Sequence, residues 1–246
     1  MPERIHRERS GSTQSEALLA ARGGAPIGTT FVADRQEEGR GRLDHVWASP
    51  PGGLYLSRIA SDPREGSGLV PIAIATRLSE SLDQTYGVRP LVKWPNDLLV
   101  TDPGGRPRKL AGILVDRVSS RSNEPVLVVG VGVNGTTRRT ELPAALRDRT
   151  AILAELTIRS VDLAELEELA VAAIDGAVEA LATGEGREEI VGRARSILYG
   201  IGRRARIDGR PAGIVRDLSG DGALSLERDG ELLEVRSGEV VVEEAA

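Results

Sequence analysis

The stretch Leu91–Val100 has the sequence LVKWPNDLLV, in which two apolar runs flank a proline. The pattern predicts a strand, a bend and a second strand, because Pro95 has no N–H to donate to a β-ladder. The bend brings Lys93, Asn96 and Asp97 together as a cation, an amide and a carboxylate. Such a trio is suited to a phosphate and its Mg²⁺, although Asn-Asp after proline is also an ordinary turn signal.

Apolar periodicity places further strands and helices on both sides of this stretch. Strands are predicted at residues 29–33, 54–60, 109–116 and 126–134, and helices at 15–21, 72–86, 163–181 and about 187–197. Gly130 and Gly132 lie inside the apolar strand at 126–134, and no helix opens directly after them. They therefore indicate close approach of a ligand to the backbone, and not a dinucleotide fingerprint.

The C-terminal segment consists of short β-like runs at residues 204–207, 212–217, 223–227, 231–235 and 239–242. Asp-Gly pairs at 208–209, 221–222 and 229–230 separate several of these runs, and such pairs favour tight turns. The segment predicts a small β-barrel, which is stable only when it is docked on a larger domain.

The composition limits the classes of protein to which the chain can belong. Its 246 residues suffice for one large domain, or for one domain and a small appendage. The net charge of −5 gives no general attraction for nucleic acid, and the lack of cysteine excludes disulfides and thiol catalysis. The N-terminus lacks a signal-peptide pattern and no apolar run approaches about 20 residues, so a cytoplasmic protein without membrane contact is expected.

Lysine usage is unusual, because only two of the 32 basic residues are lysines, Lys93 and Lys109. Arginine replaces lysine easily at a surface, but not where a compact ammonium must lie among buried oxygens. Both lysines are therefore candidate site residues, with chance as the alternative explanation.

Residues 39–53 have neither a helical nor a strand period and predict a long loop. Its glycines allow the backbone to change conformation around a ligand. Arg40 and Arg42 carry guanidinium groups suited to carboxylate and phosphate oxygens, and Trp47 offers a flat face for a ring. Taken alone, the loop fits a solvated turn or a non-specific phosphate binder equally well.

Ser12 and Thr13 precede the first predicted helix, and either hydroxyl is suited to cap its N-terminus. A helix start rich in hydroxyl groups can also donate hydrogen bonds to the polar edge of a ligand. The sequence favours neither interpretation over the other.

Three segments together resemble the biotin protein ligases, the biotin–[acetyl-CoA carboxylase] ligase family. They are Gly39-Arg40-Gly41-Arg42 with Trp47, Lys93-Trp94-Pro95-Asn96-Asp97, and Lys109-Leu110-Ala111-Gly112-Ile113-Leu114. Ser12-Thr13, Gln36 and Gly130-x-Gly132-x-Asn134 fall in the matching order, and the resemblance covers essentially the whole chain. Two departures are visible: Leu43-Asp44-His45 replaces the family's usual glycine and arginine, and Gln14 replaces its asparagine.

The resemblance implies an α+β fold, with a class II aminoacyl-tRNA synthetase-like mixed sheet with helices, followed by a small SH3-like β-barrel. A catalytic domain is expected at residues 1–198 and the barrel at 199–246. The implied reaction is ATP-dependent biotinylation through biotinyl-5′-AMP, with biotin as substrate and Mg²⁺ as metal. The implied partner is the biotin carboxyl carrier domain of acetyl-CoA carboxylase or a related carboxylase. The form expected is the one without an N-terminal DNA-binding domain, and it is not expected to bind DNA. It is expected to be a monomer or a homodimer.

The resemblance also assigns roles to particular residues. Arg42 and Lys93 are the expected catalytic residues, with Lys93 between the biotin carboxylate and the α-phosphate. The expected biotin-binding residues are Ser12, Thr13, Gln14, Gln36, Arg40, Gly41, Arg42, Lys93 and Gly112. The expected ATP-binding residues are Trp47, Asn96, Asp97 and Asn134, and Asp97 is also the expected Mg²⁺ ligand.

Three other functions compete with this interpretation. A lipoate or octanoate ligase of the same fold is expected to lack the Gly-Arg-Gly-Arg…Trp loop. A non-catalytic biotin or nucleotide sensor needs the pocket but does not need Lys93. A nucleic-acid-binding protein with an SH3-like domain is disfavoured by the acidic net charge.

Overall fold

The computed structural model describes residues 1–121 and 123–243. The first half of the chain forms one mixed seven-stranded sheet. The strands are β1 (Arg4–Arg7), β2 (Thr30–Ala33), β3 (Leu54–Ser61), β4 (Leu91–Lys93), β5 (Asp97–Thr101), β6 (Pro107–Ser119) and β7 (Pro125–Val133). Their order across the sheet is β1-β2-β3-β7-β6-β5-β4. Only β1 and β2 pair in parallel among these strands, and the other neighbours are antiparallel.

Among the residues described, five α-helices accompany the sheet: α1 (Thr13–Arg22), α2 (Val70–Tyr86), α3 (Ala144–Arg147), α4 (Leu163–Leu181) and α5 (Gly184–Ser196). The side chains of β7 alternate between two apolar clusters. Val126 and Val128 pack with α1 on one face, while Leu127 and Val129 pack with α2 and α4 on the other. The sheet is therefore covered on both faces, which explains why its strands are nearly continuous apolar runs.

The helix ends mostly follow the local sequence. Ser12 Oγ accepts a hydrogen bond from the Ser15 N–H at the start of α1, and Gly87 ends α2 with a φ of 67°. The Asp162 side chain caps α4 by accepting a hydrogen bond from the Ala164 N–H. Glu165, three residues later, accepts hydrogen bonds from the Tyr86 hydroxyl and from Arg159.

The C-terminal segment forms a second, antiparallel sheet of five strands. They are β8 (Arg204–Ile207), β9 (Arg210–Leu218), β10 (Leu224–Arg228), β11 (Glu231–Val235) and β12 (Val240–Val242), in the order β11-β10-β9-β8-β12. Asp208 and Asp229 have positive φ angles of 48° and 55° at the turns, which fits the Asp-Gly signals. This arrangement confirms the predicted α+β class with a C-terminal β unit.

The second sheet packs directly on the first unit. Leu218, Leu224 and Leu226 belong to the same apolar cluster as the helices α2 and α4, and the indole N–H of Trp94 donates to the Gly222 carbonyl at 2.9 Å. The predicted boundary between residues 198 and 199 stays a prediction. Within the described residues, no helix has the length and apolar character needed to span a membrane.

Candidate active site

The cavity that gathers most of the predicted site residues opens where several segments converge. They are the N-terminus of α1, the loop at 39–53, the bend between β4 and β5, the facing parts of β6 and β7, and the turn before β12. The predicted residues on its wall are Ser12, Thr13, Gln14, Gln36, Arg40, Gly41, Arg42, Trp47, Lys93, Asn96, Asp97 and Gly112. The sequence motifs, which are far apart in the chain, thus share one site.

Gln36 joins the start of α1 to the end of the loop. Its Oε1 accepts a hydrogen bond from the Thr13 N–H at 2.9 Å, and its Nε2 donates to the Ser49 hydroxyl at 2.9 Å. Ser12 is occupied as the helix cap. The hydroxyl-rich helix start therefore serves as a cap and as cavity wall at once.

Glycines in β6 and β7 form the floor on which the Trp47 ring lies. A Cβ atom placed on Gly112 would lie 2.9 Å from Cζ3 of Trp47, and one placed on Gly132 would lie 2.6 Å from Cε2. These distances are too short for any side chain, so only glycine allows the ring to approach the strands. The indole Nε1 is buried and has no hydrogen-bond partner among the described residues.

The Trp47 ring also explains why the cavity is small. The cavity has a volume of about 140 Å³, whereas pockets for small organic ligands usually measure roughly 300–1,000 Å³. Because the Trp47 ring lines the cavity and contacts its glycine floor, moving the loop outward enlarges the space. The glycines of the loop make such a movement sterically easy.

Two ammonium groups lie close to one carboxylate on the side of the cavity formed by β4, β5 and β6. Lys109 Nζ lies 2.7 Å from Asp97 Oδ1 and 5.1 Å from the centroid of the Trp47 ring. Lys93 and Asp97 are register partners on β4 and β5. Burial lowers the pKa of Lys93; Asp97 and Glu239 oppose this effect, and Lys109 and Arg149 add to it.

Arg42 and Asn96 connect the loop to the β4–β5 bend. The Arg42 Nη1 donates to Asn96 Oδ1 at 3.2 Å, and Asn96 Nδ2 donates to the Ile113 carbonyl at 2.8 Å. The bend itself contains a cis peptide bond between Trp94 and Pro95. Asn96 is thereby held between the loop and β6.

The part of the loop that departs from the family pattern has an unusual backbone. Leu43 and Asp44 adopt positive φ angles of 51° and 60°, a region that favours glycine. Arg40 is exposed, and the His45 carbonyl accepts a hydrogen bond from the Gly41 N–H at 2.7 Å. The substitution of the family's glycine therefore falls where glycine is the favoured residue.

Asn134 is the predicted site residue that the structure does not place on the cavity wall. Its amide donates to the carbonyls of Lys109 at 3.2 Å and Leu110 at 3.1 Å. Its nucleotide contact stays a prediction.

The site also contains Lys109, Ser57 and Glu239, none of which was assigned a role from the sequence. The scarcity of lysine signalled Lys109. No local pattern signalled the other two, because Ser57 lies in an apolar strand and Glu239 lies in the turn before β12, far away in the chain.

A cavity lined by lysine and arginine side chains is suited to a substrate that carries anionic groups. The model of the Biotin/lipoate A/B protein ligase family matches residues 23–134. The bifunctional ligase/repressor BirA of Escherichia coli is 32% identical over 238 residues, which cover 94% of this chain and 71% of that protein. The biotin–[acetyl-CoA-carboxylase] ligase of Mycobacterium tuberculosis is 30% identical over 242 residues, covering 94% and 86%. The chain belongs to the biotin protein ligase family.

Solved structures agree with this assignment. The biotin protein ligase of Aquifex aeolicus in complex with biotin and ATP superposes with a TM-score of 0.83 at 27% identity, and the match covers 100% of both chains.

The match to the Bacillus subtilis BirA protein is 29% identical and covers 65% of this chain, but it spans about half of that relative, 49% of its length.

Proposed function

We propose that the protein is an ATP-dependent ligase that attaches biotin to a lysine of a carrier domain. The observation that carries the proposal is the pair of ammonium groups in a cavity bounded by the glycine floor and Trp47. The fold shared with a ligase solved in complex with biotin and ATP supports it.

The reaction has two steps. A biotin carboxylate oxygen attacks the α-phosphorus of ATP, the bond to the β-phosphate oxygen breaks, and pyrophosphate leaves. The amine of the carrier lysine then attacks the carbonyl carbon of biotinyl-5′-AMP, AMP leaves, and the amine loses a proton as the amide forms. Each step proceeds without an oxidant or reductant.

The first step requires cations, because it joins two anions. We propose that Lys93 lies between the carboxylate and the α-phosphate, as the resemblance implies, and that Lys109, which lies by Gly112 and under Trp47, adds a second ammonium on the side of the carboxylate. Arg42 adds a guanidinium at the loop side of the cavity. Fixed cations of this kind stabilise the charge that develops in the transition state.

The remaining residues position the substrates. Ser12, Thr13, Gln36 and Gly112 form the end of the cavity suited to the biotin head, while Trp47 covers the adenine and Asn134 borders it. Closure of the loop also keeps water from the mixed anhydride.

Asp97 is the residue suited to hold Mg²⁺. Its buried Oδ1 forms an ion pair with the Lys109 ammonium at 2.7 Å, so a metal bound there would compete with that ammonium. Among residues 1–121 and 123–243, no group of three or more acidic, histidine or cysteine side chains could hold a metal by itself. The residues therefore fit a metal that would arrive on the phosphates of ATP and would neutralise part of their charge.

The proposed partner is the carrier domain of a biotin-dependent carboxylase. The relatives from Mycobacterium tuberculosis and Paracoccus denitrificans are named for acetyl-CoA carboxylase, which supports this class of partner. Cytoplasmic location, a monomeric or dimeric state and the lack of DNA binding stay predictions.

The test is incubation with labelled biotin, ATP, Mg²⁺ and a carrier domain, with labelled lipoate and octanoate in parallel reactions. We expect label on the carrier lysine only with biotin and ATP together. A carrier whose target lysine is replaced by alanine is the control. Equal transfer of lipoate would support the rival ligase, and tight biotin binding without any transfer would support a sensor.

A further inference from the structure

The wall of the cavity contains more basic than acidic side chains. The four basic ones are Arg40, Arg42, Lys93 and Lys109. Among the residues that the structure describes, the two acidic ones are Asp97 and Glu239. The Asp97 carboxylate is already occupied, because its Oδ1 lies 2.7 Å from Lys109 Nζ. Glu239 is therefore the carboxylate on this wall that stays available to a ligand.

The Glu239 side chain lies at the mouth of the cavity, because it belongs to the cavity wall and is exposed to solvent at the same time. Within residues 1–121 and 123–243, its carboxylate forms neither a hydrogen bond nor an ion pair. Its charge still acts on Lys93, whose pKa it raises against the lowering effect of burial. Glu239 thus places an unpaired negative charge at the entrance to a cationic interior.

The backbone of Glu239 is fixed by the second sheet. Its N–H donates to Asp208 Oδ1 at 2.9 Å, and its carbonyl accepts from the Asp208 N–H at 3.0 Å. Val240, the next residue, pairs with Ile207. The preceding Gly238 has a φ of 119°, and a Cβ atom there would lie 2.8 Å from Cγ2 of Ile207. These contacts hold Glu239 at the mouth without any help from the loop at 39–53.

The second step of the reaction brings a cation to this entrance. A lysine side chain has a pKa of about 10.4 and is protonated near neutral pH. Asp97 and the phosphate of the bound adenylate offset only two of the four basic side chains on the wall. The ammonium of the carrier lysine is therefore repelled by the interior. A carboxylate at the mouth gives it a place to bind before it enters.

We propose that Glu239 binds the ammonium group of the carrier's target lysine at the mouth of the cavity. The inference rests on the proposed function and deepens it, because it names the group of this chain that recognises the reacting side chain of the partner. Glu239 is a binding residue in this account, since a carboxylate favours the charged form of an amine, whereas attack requires the neutral form. Lys93 and Lys109, as cations, favour loss of the proton as the amine moves inward.

The test starts from pre-made biotinyl-5′-AMP, so that formation of the adenylate does not enter the measurement. Transfer to a carboxylase carrier domain is followed as the carrier concentration is varied. Glu239→Gln removes the charge and keeps the size of the side chain. We expect its KM for the carrier to rise about 5- to 30-fold, with little change in kcat. Glu239→Lys reverses the charge and should raise KM further.

Hydroxylamine serves as a second nucleophile, because it is small and is neutral at the assay pH. Glu239 has no ammonium to bind in this reaction, so the ratio of carrier transfer to hydroxylamine trapping should fall in Glu239→Gln. Glu231→Gln is the matched control, because Glu231 is also an exposed carboxylate of the second sheet but lies outside the cavity wall. Its KM and its ratio should equal those of the wild type.

The outcomes separate the inference from the function. No transfer by the wild type would reject the proposed function. Transfer by the wild type with an unchanged KM in Glu239→Gln and Glu239→Lys would overturn the inference alone. A loss confined to kcat, an equal loss of hydroxylamine trapping, or an equal rise of KM in Glu231→Gln would also overturn it. Circular dichroism checks that each variant is folded, and Glu239 is exposed, so its replacement leaves the apolar core intact.

Discussion

Replacement of Lys109 or Lys93 by alanine is expected to slow biotinyl-5′-AMP formation by about 10²–10³-fold, the usual cost of removing one electrostatic contact with a transition state. The carboxylate and the α-phosphate must approach to bonding distance, and their repulsion is weakly screened in a closed site. Each lysine lies on the wall of the cavity in which the carboxylate and the α-phosphate would meet. No other lysine exists in the chain to take over.

Arginine is expected to be a poor substitute at both positions. Its charge is spread over a planar fork, which cannot take the place of a compact ammonium between two oxygens. We therefore expect Lys109→Arg and Lys93→Arg to lose most of the activity as well. This would also explain why lysine is kept at these two positions in a chain that otherwise uses arginine.

The measurement is pyrophosphate release with biotin and ATP, with folding checked by circular dichroism. Transfer from pre-made biotinyl-5′-AMP should be much less affected, since that step no longer joins two anions. Arg89→Ala is the control, because Arg89 forms an exposed ion pair with Asp83, a kind of contact that contributes little. Near-wild-type adenylation by Lys93→Arg would contradict the role given to Lys93.

The lowered pKa of Lys93 gives this prediction a pH signature. As pH rises, Lys93 loses its proton earlier than an ordinary lysine, and the site loses a cation. The value of kcat/KM for adenylation should therefore begin to fall at a lower pH than the one at which an ordinary lysine loses its proton. The residual activity of Lys93→Arg should lack this alkaline decline.

Replacement of Trp94 by alanine is expected to reduce the free energy of unfolding by about 3–5 kcal/mol. Trp94 is 4% exposed and belongs to the main apolar cluster. Its indole also donates to Gly222 in the turn before β10. The side chain therefore connects the β4–β5 bend to the C-terminal sheet, which supplies Glu239 to the cavity.

The matched control is Trp47→Ala, because the chain has two tryptophans and they serve different purposes. Trp47 lies over the cavity floor and outside the apolar clusters, so its loss should weaken nucleotide binding but reduce stability less. Urea unfolding followed by circular dichroism measures both variants. Equal destabilisation by the two substitutions would contradict this division. Trp94→Phe keeps a buried ring and should have an intermediate effect.

The sequence predicted the parts of the fold that depend on local periodicity. The apolar strand at Val126–Val133 and the helix that ends at Tyr86 appear as expected, because a strand covered on both faces is apolar throughout and Gly87 readily takes the left-handed conformation that ends a helix. Strand β1 was missed, since Arg4–Arg7 has almost no apolar residues. It forms only because β2 offers a free edge for pairing.

The site was predicted to the extent that its residues lie in continuous motifs. Lys93, Asn96 and Asp97 are close in sequence and share the bend, so their proximity follows from Pro95. Ser57 and Glu239 come from other elements, and their positions depend on sheet register and on the docking of the second sheet. Such long-range geometry leaves no local signal in the chain.

The most direct measurement of the central claim is exchange of labelled pyrophosphate into ATP without any carrier domain. The exchange reports reversible formation of the adenylate by this chain alone. We expect exchange that requires biotin, is not supported by lipoate, and is lost in Lys109→Ala. Exchange that is equal with and without biotin, or none at all from a folded protein supplied with biotin, ATP and Mg²⁺, would contradict the account.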